Sequence, residues 1–274
     1  MNLKKHCPKI ILALALGLSP GAHAESSFWR AETYDQATAV QPGRYFHNFL
    51  RIPVQAGREL IRTDQQGLRR NLLVGGGIVA AFALDKTIRD FAQDSVYAGD
   101  NAISVFLHDV GTVYYAAPAI GLAYGVSLVT RDRKLHDTTV LSVQSLLITQ
   151  VFTHASKTIV GRDRPRQSPG NPFRRGGGDA FFSGHASGTW SVATVVAQRY
   201  PRTKWLSYGL ATAVAAARIY EDAHWTSDVL VGSIVGYGIG RLTVRLNRNP
   251  EANQLAIVPW LDQKTQAMFV QFSF

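Results

Sequence analysis

Between residues 71 and 249, six long stretches of the sequence contain no Asp, Glu, Lys or Arg, and segments with charged residues separate them. They cover residues 71–84, 110–130, 138–156, 180–198, 205–217 and 229–240. Runs of 12 to 21 residues are longer than ordinary strands and have the length of helices. The sequence therefore predicts an all-α protein in which a bundle of six helices occupies residues 71–249.

The same runs bear on whether the chain crosses a membrane. A spanning helix needs about 20 predominantly apolar residues, and the runs at 71–84, 205–217 and 229–240 are much shorter. The mean hydropathy of −0.02 is ordinary for a soluble protein. Buried helices of a soluble bundle produce the same pattern. We therefore predict a soluble or membrane-associated bundle, with an integral membrane protein as the alternative.

Residues 1–24 have the pattern of a secretory signal peptide. Lys4, Lys5 and Lys9 form a basic beginning, an apolar run follows at residues 10–18, and Ala22-His23-Ala24 resembles a cleavage site. The apolar run is too short to span a membrane. The sequence thus predicts an exported, periplasmic protein whose mature chain begins near residue 25.

Two segments flank the predicted bundle. Residues 25–70 intersperse aromatic residues with Pro and Gly, which predicts an arm that packs on the helices or lies at a membrane surface, with packing favoured. Residues 250–274 alternate apolar and polar residues on either side of Asp262-Gln263-Lys264-Thr265. This alternation predicts a C-terminal β-hairpin packed on the helices or on the arm.

The charged residues restrict the partners. The formal net charge is +10, and without residues 1–24, which hold three Lys and no acid, it is 26 − 19 = +7. A basic surface attracts phosphorylated substrates or anionic lipid headgroups. The Lys and Arg residues are scattered and accompany no nucleic-acid-binding motif, so we expect no nucleic acid partner. His108, His136 and His154 are too far apart in sequence for a metal-binding pattern, and we expect no metal site.

Three clusters of cations, small residues and histidines lie between residues 157 and 228. They are Lys157 with Arg164, Ser183-Gly184-His185, and Arg218 with His224 and Asp228. A phosphoryl group in its transition state spreads negative charge over its oxygens, so its site needs fixed positive charge and N–H donors. Arg164 and Arg218 each offer a planar fork to two oxygens, and Lys157 adds a point charge. The clusters therefore predict a phosphate site.

The second cluster precedes an apolar run, so we expect Ser183-Gly184-His185 to begin a helix. Free backbone N–H groups and the positive end of the helix dipole favour an anion there. Gly184 lets the backbone approach closely, and Ser183 can cap the helix or donate its hydroxyl. His185 is then placed to protonate a departing oxygen and later to deprotonate water.

The third cluster supplies a nucleophile. His224 and Asp228 are four residues apart, a spacing that puts both on one face of a helix, where the carboxylate can accept the ring N–H. The other ring nitrogen then keeps a lone pair directed at phosphorus. We predict His224 as the nucleophile and Asp228 as the residue that orients it.

These clusters resemble the motifs of the type 2 phosphatidic acid phosphatases, which share a fold with bacterial class A acid phosphatases and vanadium haloperoxidases. The first motif, Lys, six residues and Arg-Pro, corresponds to KTIVGRDRP at 157–165. The second, Pro-Ser-Gly-His, corresponds to FSGH with Phe182 in place of proline. The third, Ser-Arg, five residues, His, three residues and Asp, corresponds to ARIYEDAHWTSD with Ala217 in place of serine.

The resemblance implies a six-helix bundle of the acid phosphatase and haloperoxidase type, a phosphohistidine intermediate on His224, and no metal ion or other cofactor. It assigns phosphate binding to Lys157, Arg164, Ser183, Gly184, His185 and Arg218. The implied reaction is hydrolysis of a phosphomonoester or diphosphate, and a lipid phosphate such as phosphatidate or a polyprenyl diphosphate is the leading substrate. A small phosphate ester is also open as substrate. A vanadate-dependent haloperoxidase and a non-catalytic phosphate- or lipid-binding protein are the alternatives.

The loop at residues 166–179 joins the first two motifs. It contains two prolines, four glycines and the pair Arg174-Arg175. A gate whose arginines meet the leaving group and a flexible, solvated loop are equally consistent with this composition.

Overall fold

A computed structural model describes residues 12–14, 40, 42–96, 102–248, 255–262 and 265–272. Apart from the short strand β1 (Leu12–Leu14), the predicted signal peptide lies outside the described residues, as do residues 25–39 of the predicted arm. The signal peptide and its cleavage site stay predictions.

The described residues form eight α-helices. They are α1 (Pro42–Leu60), α2 (Gln65–Phe91), α3 (Ala102–Gly111), α4 (Val113–Thr130), α5 (Arg133–Val160), α6 (Gly184–Arg199), α7 (Lys204–Tyr220) and α8 (Thr226–Arg248). A π-helical turn, Ala92–Val96, continues α2, and 3-10 turns occupy Pro165–Gln167 and Pro201–Thr203. The prediction of a helical domain is confirmed.

The number and bounds of the helices differ from the six that the uncharged runs predict. The run at 110–130 is divided between α3 and α4, whose axes differ by 64°. Four of the other predicted helices extend beyond both ends of their runs, as when α5 begins at Arg133 and continues past Lys157, whereas α6 begins at Gly184, inside the run 180–198. Charged side chains at helix ends reach solvent or interact with the helix dipole, so a charge does not mark the end of a helix.

Helix α1 lies in the predicted N-terminal arm. Its Ile52 is fully buried against Ile148 of α5 and against Ile239 and Leu242 of α8. Tyr45 accepts a hydrogen bond at its carbonyl from the Gln144 side chain, at 2.6 Å. For the described part of the arm, the structure therefore shows packing on the helices.

Two strands follow the helices. Strands β2 (Leu255–Asp262) and β3 (Thr265–Phe272) pair antiparallel, with Leu255 opposite Phe272 and Asp262 opposite Thr265. Strand β1 adds to β3, also antiparallel. Residues 249–254 and 263–264 lie outside the described residues, and the packing of the predicted hairpin on the helices stays a prediction.

Helices α6 and α8 approach each other through small residues at four-residue spacing. Ser183, Ser187 and Ser191 face Gly232, Gly236 and Gly240. A Cβ atom at Gly232 would lie 2.7 Å from the Ser183 carbonyl oxygen, and one at Gly240 would lie 2.5 Å from that of Ser191. Only glycine permits this separation of the two backbones, a contact typical of helices packed in a membrane. The contact sets the beginning of α6 beside the beginning of α8.

Polar side chains fill much of the interior, whereas large apolar side chains lie on the outside. The buried polar set includes Ser142, Gln144, Ser145, Thr149, Thr194, Thr243 and Asn247. The exposed apolar set includes Leu72, Leu73, Val79, Tyr114, Leu122, Val129, Val151, Ile159, Trp205 and Leu206. Soluble monomers rarely expose apolar surface on this scale. The distribution favours the membrane alternative over the soluble bundle that hydropathy suggested.

Some of the described helices have the length and composition of membrane spans. Gln65–Val96 and Thr226–Asn247 each meet these criteria alone. The bent pair of Ala102–Gly111 and Tyr114–Thr130 adds a third span if the two helices cross together.

The contact between α6 and α8 makes a prediction about stability. In Gly236→Ala the new methyl group would overlap the Ser187 carbonyl group, so the helices must separate. We expect a loss of about 1–3 kcal/mol in the free energy of unfolding, the usual cost of overpacking, seen as a lower thermal unfolding midpoint. Gly238→Ala is the matched control, because a Cβ atom there meets no atom within 4 Å. If the two variants unfolded at the same midpoint temperature, the close contact of α6 and α8 at Gly236 would be contradicted.

Candidate active site

The three predicted clusters meet at one end of the helical bundle. Lys157 lies in the last turn of α5, Ser183 caps α6, Arg218 ends α7, and Asp228 lies in the first turn of α8. The Ser183 backbone N–H donates to the Asp228 carbonyl at 3.1 Å, which joins the second cluster to the third. The fold thus brings together residues that are up to 71 positions apart in sequence.

The beginning of α6 has the geometry predicted for binding an anion. The Ser183 hydroxyl accepts a hydrogen bond from the Ala186 N–H at 3.4 Å and caps the helix. The first N–H groups of a helix have no partner within it. Nε2 of His185 is buried and has no hydrogen-bond partner. These groups offer donors to an anion in front of the helix.

Arg218 is held on one side by two neighbours. Its Nη2 donates to Glu221 at 2.5 Å, and its Nη1 lies 2.9 Å from Nδ1 of His108. The same Nδ1 also lies 3.3 Å from Oε2 of Glu221. A guanidinium has only donors, so Nδ1 accepts from Arg218 when it is unprotonated and donates to Glu221 when it is protonated. The buried Nε of Arg218 has no hydrogen-bond partner. Arg218 and His185 therefore each have a buried polar atom that could serve an anionic ligand.

Lys157 and Arg164 converge on the carboxylate of Asp179. Nε and Nη2 of Arg164 each donate to one Asp179 oxygen at 2.7 Å, and Nζ of Lys157 lies 3.6 Å from the carboxylate. The hydrogen bonds from Arg164, together with its charge, hold the pKa of Asp179 well below its usual range. The pairing shows that both cations can reach one small anion.

His224 is oriented differently from the prediction. It lies in the turn before α8 rather than on the helix, so its spacing to Asp228 does not create a shared helix face. Nδ1 of His224 lies 2.9 Å from the Ala180 carbonyl and 3.8 Å from the Asp228 carboxylate. A carbonyl only accepts hydrogen bonds, so Nδ1 carries the proton and Nε2 keeps the lone pair. The predicted tautomer is retained, but the predicted hydrogen bond from His224 to Asp228 is wrong.

Asp228 belongs to a buried network that sequence reasoning did not find. It accepts hydrogen bonds from the Trp225 backbone N–H at 3.0 Å and from Nη1 of Arg162 at 2.5 Å. Nη2 of Arg162 donates to Asp85 of α2 at 2.6 Å. Asp85 also accepts hydrogen bonds from the N–H and hydroxyl of Ser227, at 2.8 and 2.6 Å. The network ties α2 and the first motif to the beginning of α8.

Two sequence signals could have indicated this network. Arg162 lies inside the first motif, two residues before Arg164, and Asp85 directly follows the uncharged run 71–84. An ionisable residue within an apolar helix is a functional candidate by default. The sequence gives no signal that His108 contacts Arg218, because a lone His on an apolar helix does not indicate its partner.

Burial and neighbouring charges affect both histidines of the site. Burial, opposed by the Asp228 carboxylate, lowers the pKa of His224, so its ring is neutral at neutral pH. Burial lowers the pKa of His185 to about 3, and nearby Arg218, His108, His224 and Lys157 contribute. The ring centroids of His108 and His185 lie 5.2 Å apart, so His108 lies beside His185 in the site.

The loop at 166–179 is fixed by its own charges. Arg174 pairs with Asp163 at 3.1 Å, and Gly176 donates its N–H to the same carboxylate at 3.0 Å. Arg175 donates to the carbonyls of Val160 and Ile159 at the end of α5. The two arginines bind neighbouring parts of the protein instead of facing the phosphate-binding cations.

The two departures from the family motifs lie on buried backbone. Phe182 and Ala217 are each 5% exposed, and the Phe182 N–H lies 3.3 Å from the Ser156 hydroxyl. Neither side chain replaces a charged or catalytic group. Among the described residues, no group of three or more His, Cys, Asp and Glu side chains could hold a metal ion.

Comparison with known proteins finds a family model that is similar to the segment containing the motifs. The model of the PAP2 superfamily matches residues 139–251. The lipid A 1-phosphatase of Porphyromonas gingivalis is 23% identical over 195 residues, which cover 70% of this chain and 41% of the relative. The matched region thus spans about two fifths of that relative's length.

Two solved structures are similar at 19% sequence identity. Aquifex aeolicus LpxE has a TM-score of 0.48, and the match covers 59% of this chain and 95% of that one. The first transmembrane PAP2 type phosphatidylglycerolphosphate phosphatase, from Bacillus subtilis, has a TM-score of 0.49, with 74% and 93% covered.

The segment matched by the family model, residues 139–251, contains the whole stretch from Lys157 to Asp228 and with it all three motifs. The chain is therefore similar to the PAP2 superfamily over the segment that contains the candidate site.

Proposed function

We propose that the chain is a lipid phosphate phosphatase that works through a phosphohistidine on His224 and needs no metal ion. The observation that carries the proposal is the set of donors around this histidine. Lys157, Arg164 and Arg218 supply positive charge, and the buried Arg218 Nε and His185 Nε2 have no other partner. Ser183 and Gly184 add the hydroxyl and N–H groups at the start of α6 to the proposed phosphate site.

In the first step, Nε2 of His224 donates its lone pair to phosphorus. The bond from phosphorus to the ester oxygen breaks, its electron pair stays on that oxygen, and His185 supplies the proton. The phosphorylated imidazole is cationic. The Ala180 carbonyl accepts its Nδ1–H, and the Asp228 carboxylate at 3.8 Å stabilises the charge without a hydrogen bond.

In the second step, His185, now neutral, removes a proton from water, and the water oxygen attacks phosphorus. The bond from phosphorus to Nε2 breaks and its electron pair returns to His224. When inorganic phosphate leaves, His185 releases its proton to solvent, and it takes up a proton again when the next anionic substrate binds. The three cations contribute by stabilising the charge on the equatorial oxygens in both transition states.

An apolar cavity beside the site supports a lipid substrate. It has a volume of about 650 Å³ and lies among α3 to α7, with Gly111, Ala116, Gly188, Val192 and Leu206 in its lining. Gly111 lies directly beside His185, since a Cβ atom at Gly111 would lie 2.8 Å from Cδ2 of His185. An alkyl chain in the cavity would therefore lie next to a phosphate group held at His185. The phosphatases among the similar proteins support the same substrate class.

The exposed apolar side chains support insertion in a membrane, with α2, α8 and the bent pair of α3 and α4 as spanning segments. Basic residues lie in each described connection at the end of the bundle opposite the site. They are Arg62, Arg131 and Arg202, and Arg245 lies inside α8 near the same end. Under the positive-inside rule this end faces the cytoplasm. The site then faces the exported side, in agreement with the predicted periplasmic location.

The nucleophile gives the first test. We expect His224→Ala in detergent to reduce phosphate release from an aryl phosphate and from phosphatidate by at least about 10³-fold, since no other group replaces the phosphorus acceptor. His154→Ala is the control, because His154 is exposed and lies outside the site. Near-normal turnover in His224→Ala would end the phosphohistidine proposal. A folded wild-type protein without turnover would favour the haloperoxidase or the non-catalytic alternative.

The cavity gives a second test. Ala116→Trp would fill the space between α4 and α6, so we expect kcat/KM for long-chain phosphatidate to fall about tenfold, the scale of losing chain contacts in an apolar pocket. The same ratio for an aryl phosphate should stay unchanged. Ala117→Trp is the matched control, because Ala117 is exposed and does not line the cavity. An equal loss of kcat/KM for both substrates, or no loss for either, would show that the alkyl chain of the substrate binds outside this cavity.

The lowered pKa of His185 gives a third test. Without a bound anion its pKa is about 3, and a bound dianion favours the charged ring and raises it. The complex then holds more protons than the free protein above pH 3, so affinity must increase as pH falls, by up to about tenfold per unit. We expect calorimetry to show tighter sulfate binding at pH 5 than at pH 7, since sulfate itself does not titrate there.

His185→Asn should reduce this pH dependence, whereas His224→Asn should leave the contribution of His185 in place. Sulfate affinity that does not change with pH in the wild-type protein would contradict a protonated His185 in the complex.

A further inference from the structure

We propose that Asp179 competes with phosphate for Arg164 and Lys157 and thereby weakens the binding of inorganic phosphate, the product. The proposal rests on the proposed function of this site. Nothing in the three family motifs includes Asp179, which lies between the first motif and the second.

The geometry puts the Asp179 carboxylate where a phosphate would bind. Both of its oxygens accept hydrogen bonds from Arg164 at 2.7 Å, on the edge formed by Nε and Nη2. The same carboxylate lies 3.6 Å from Nζ of Lys157. A bidentate carboxylate and a bidentate phosphate each accept two hydrogen bonds from the same pair of guanidinium N–H groups. The two anions therefore cannot use this edge of Arg164 together.

The Asp179 side chain is free to leave while its backbone stays in place. Its side chain is 56% exposed, so rotation carries the carboxylate into solvent. The next residue, Ala180, is fully buried, and its N–H donates to the Arg162 carbonyl at 2.9 Å. The Ala180 carbonyl can thus keep its contact with His224 when the Asp179 side chain turns away.

A different role would be to position Arg164 during catalysis. The carboxylates that position groups in this site are Asp85, Asp228 and Glu221, whose side chains are 0%, 0% and 16% exposed. Asp179 is exposed, and within the described residues Arg164 is the only hydrogen-bond donor found for its carboxylate. Convergence of a second phosphate-binding cation, Lys157, on the same carboxylate favours competition over positioning.

Competition of this kind would act mainly on the product. A lipid phosphate also binds through its alkyl chain, whereas inorganic phosphate binds only through the cations and the N–H groups. An internal carboxylate that returns to Arg164 and Lys157 therefore shifts the balance toward release of phosphate. The step needs no covalent chemistry.

The test measures phosphate binding directly by calorimetry on the full chain in detergent. We expect Asp179→Asn to bind inorganic phosphate roughly three- to tenfold more tightly, the scale set by losing a partly exposed ion pair. Asp179→Glu keeps the charge on a longer side chain and should bind phosphate about as weakly as the wild-type protein. Asp90→Asn is the charge control, because its carboxylate pairs with Lys86 outside the site.

Phosphate affinity in Asp179→Asn that is equal to or weaker than that of the wild-type protein would overturn the proposal, and weaker binding would assign Asp179 to positioning. If Asp90→Asn raised the phosphate affinity by the same factor, the effect would follow from net charge alone, and this result would also overturn the proposal. Turnover is measured separately on an aryl phosphate. Absence of turnover in the wild-type protein would refute the proposed function and leave the binding comparison intact.

Discussion

The buried guanidinium of Arg162 joins the parts of the protein on which the site depends. It donates to Asp85 of α2 and Asp228 of α8, and its side chain is 4% exposed. Removing these charges from water is costly, and a buried ion pair is retained only with good geometry and further hydrogen bonds. Ser227 and the Pro172 carbonyl supply such bonds. Loss of one partner would leave a charge buried without compensation, which typically costs about 3–5 kcal/mol.

This network controls the catalytic residues indirectly. Asp228 is engaged by Arg162 and by the Trp225 N–H, so its carboxylate cannot turn to make a hydrogen bond with the His224 ring. The Ala180 carbonyl makes that bond instead. Ala180 is in turn fixed by its N–H bond to the Arg162 carbonyl. One residue of the first motif therefore holds both the carboxylate and the carbonyl that surround His224.

The contact of small residues between α6 and α8 is the second constraint on the position of the site residues. Close approach of the two backbones sets Ser183 against the Asp228 carbonyl and directs the first turn of α6 toward the turn that contains His224. In an aqueous protein, apolar side chains would normally form such a central contact. Here the contact is made by glycine and serine, and the large apolar side chains lie outside. Packing of this kind suits a bundle whose outer surface is covered by lipid.

The motifs identified the cations and histidines because each catalytic task requires a particular side chain at a particular spacing. Spacing alone could not show that His224 precedes α8, since the turn depends on hydrogen bonds from Ala223 and His224 to the Arg218 carbonyl. Uncharged runs located the helices but not their ends, because Arg133 and Lys157 lie inside α5. His108 reaches Arg218 from a helix 110 residues away, so its partner follows only from tertiary packing.

Three carboxylates of the site have the same physical role. Asp85, Asp228 and Glu221 lie deep in the site and neutralise Arg162 and Arg218 while fixing their positions. Their charges lower the cost of gathering so many cations in one buried place. They also reduce the attraction for any anion, substrate or product alike. Catalysis requires the site to favour the transition state over both. Orientation of a few donors toward the equatorial oxygens achieves this better than a large excess of positive charge.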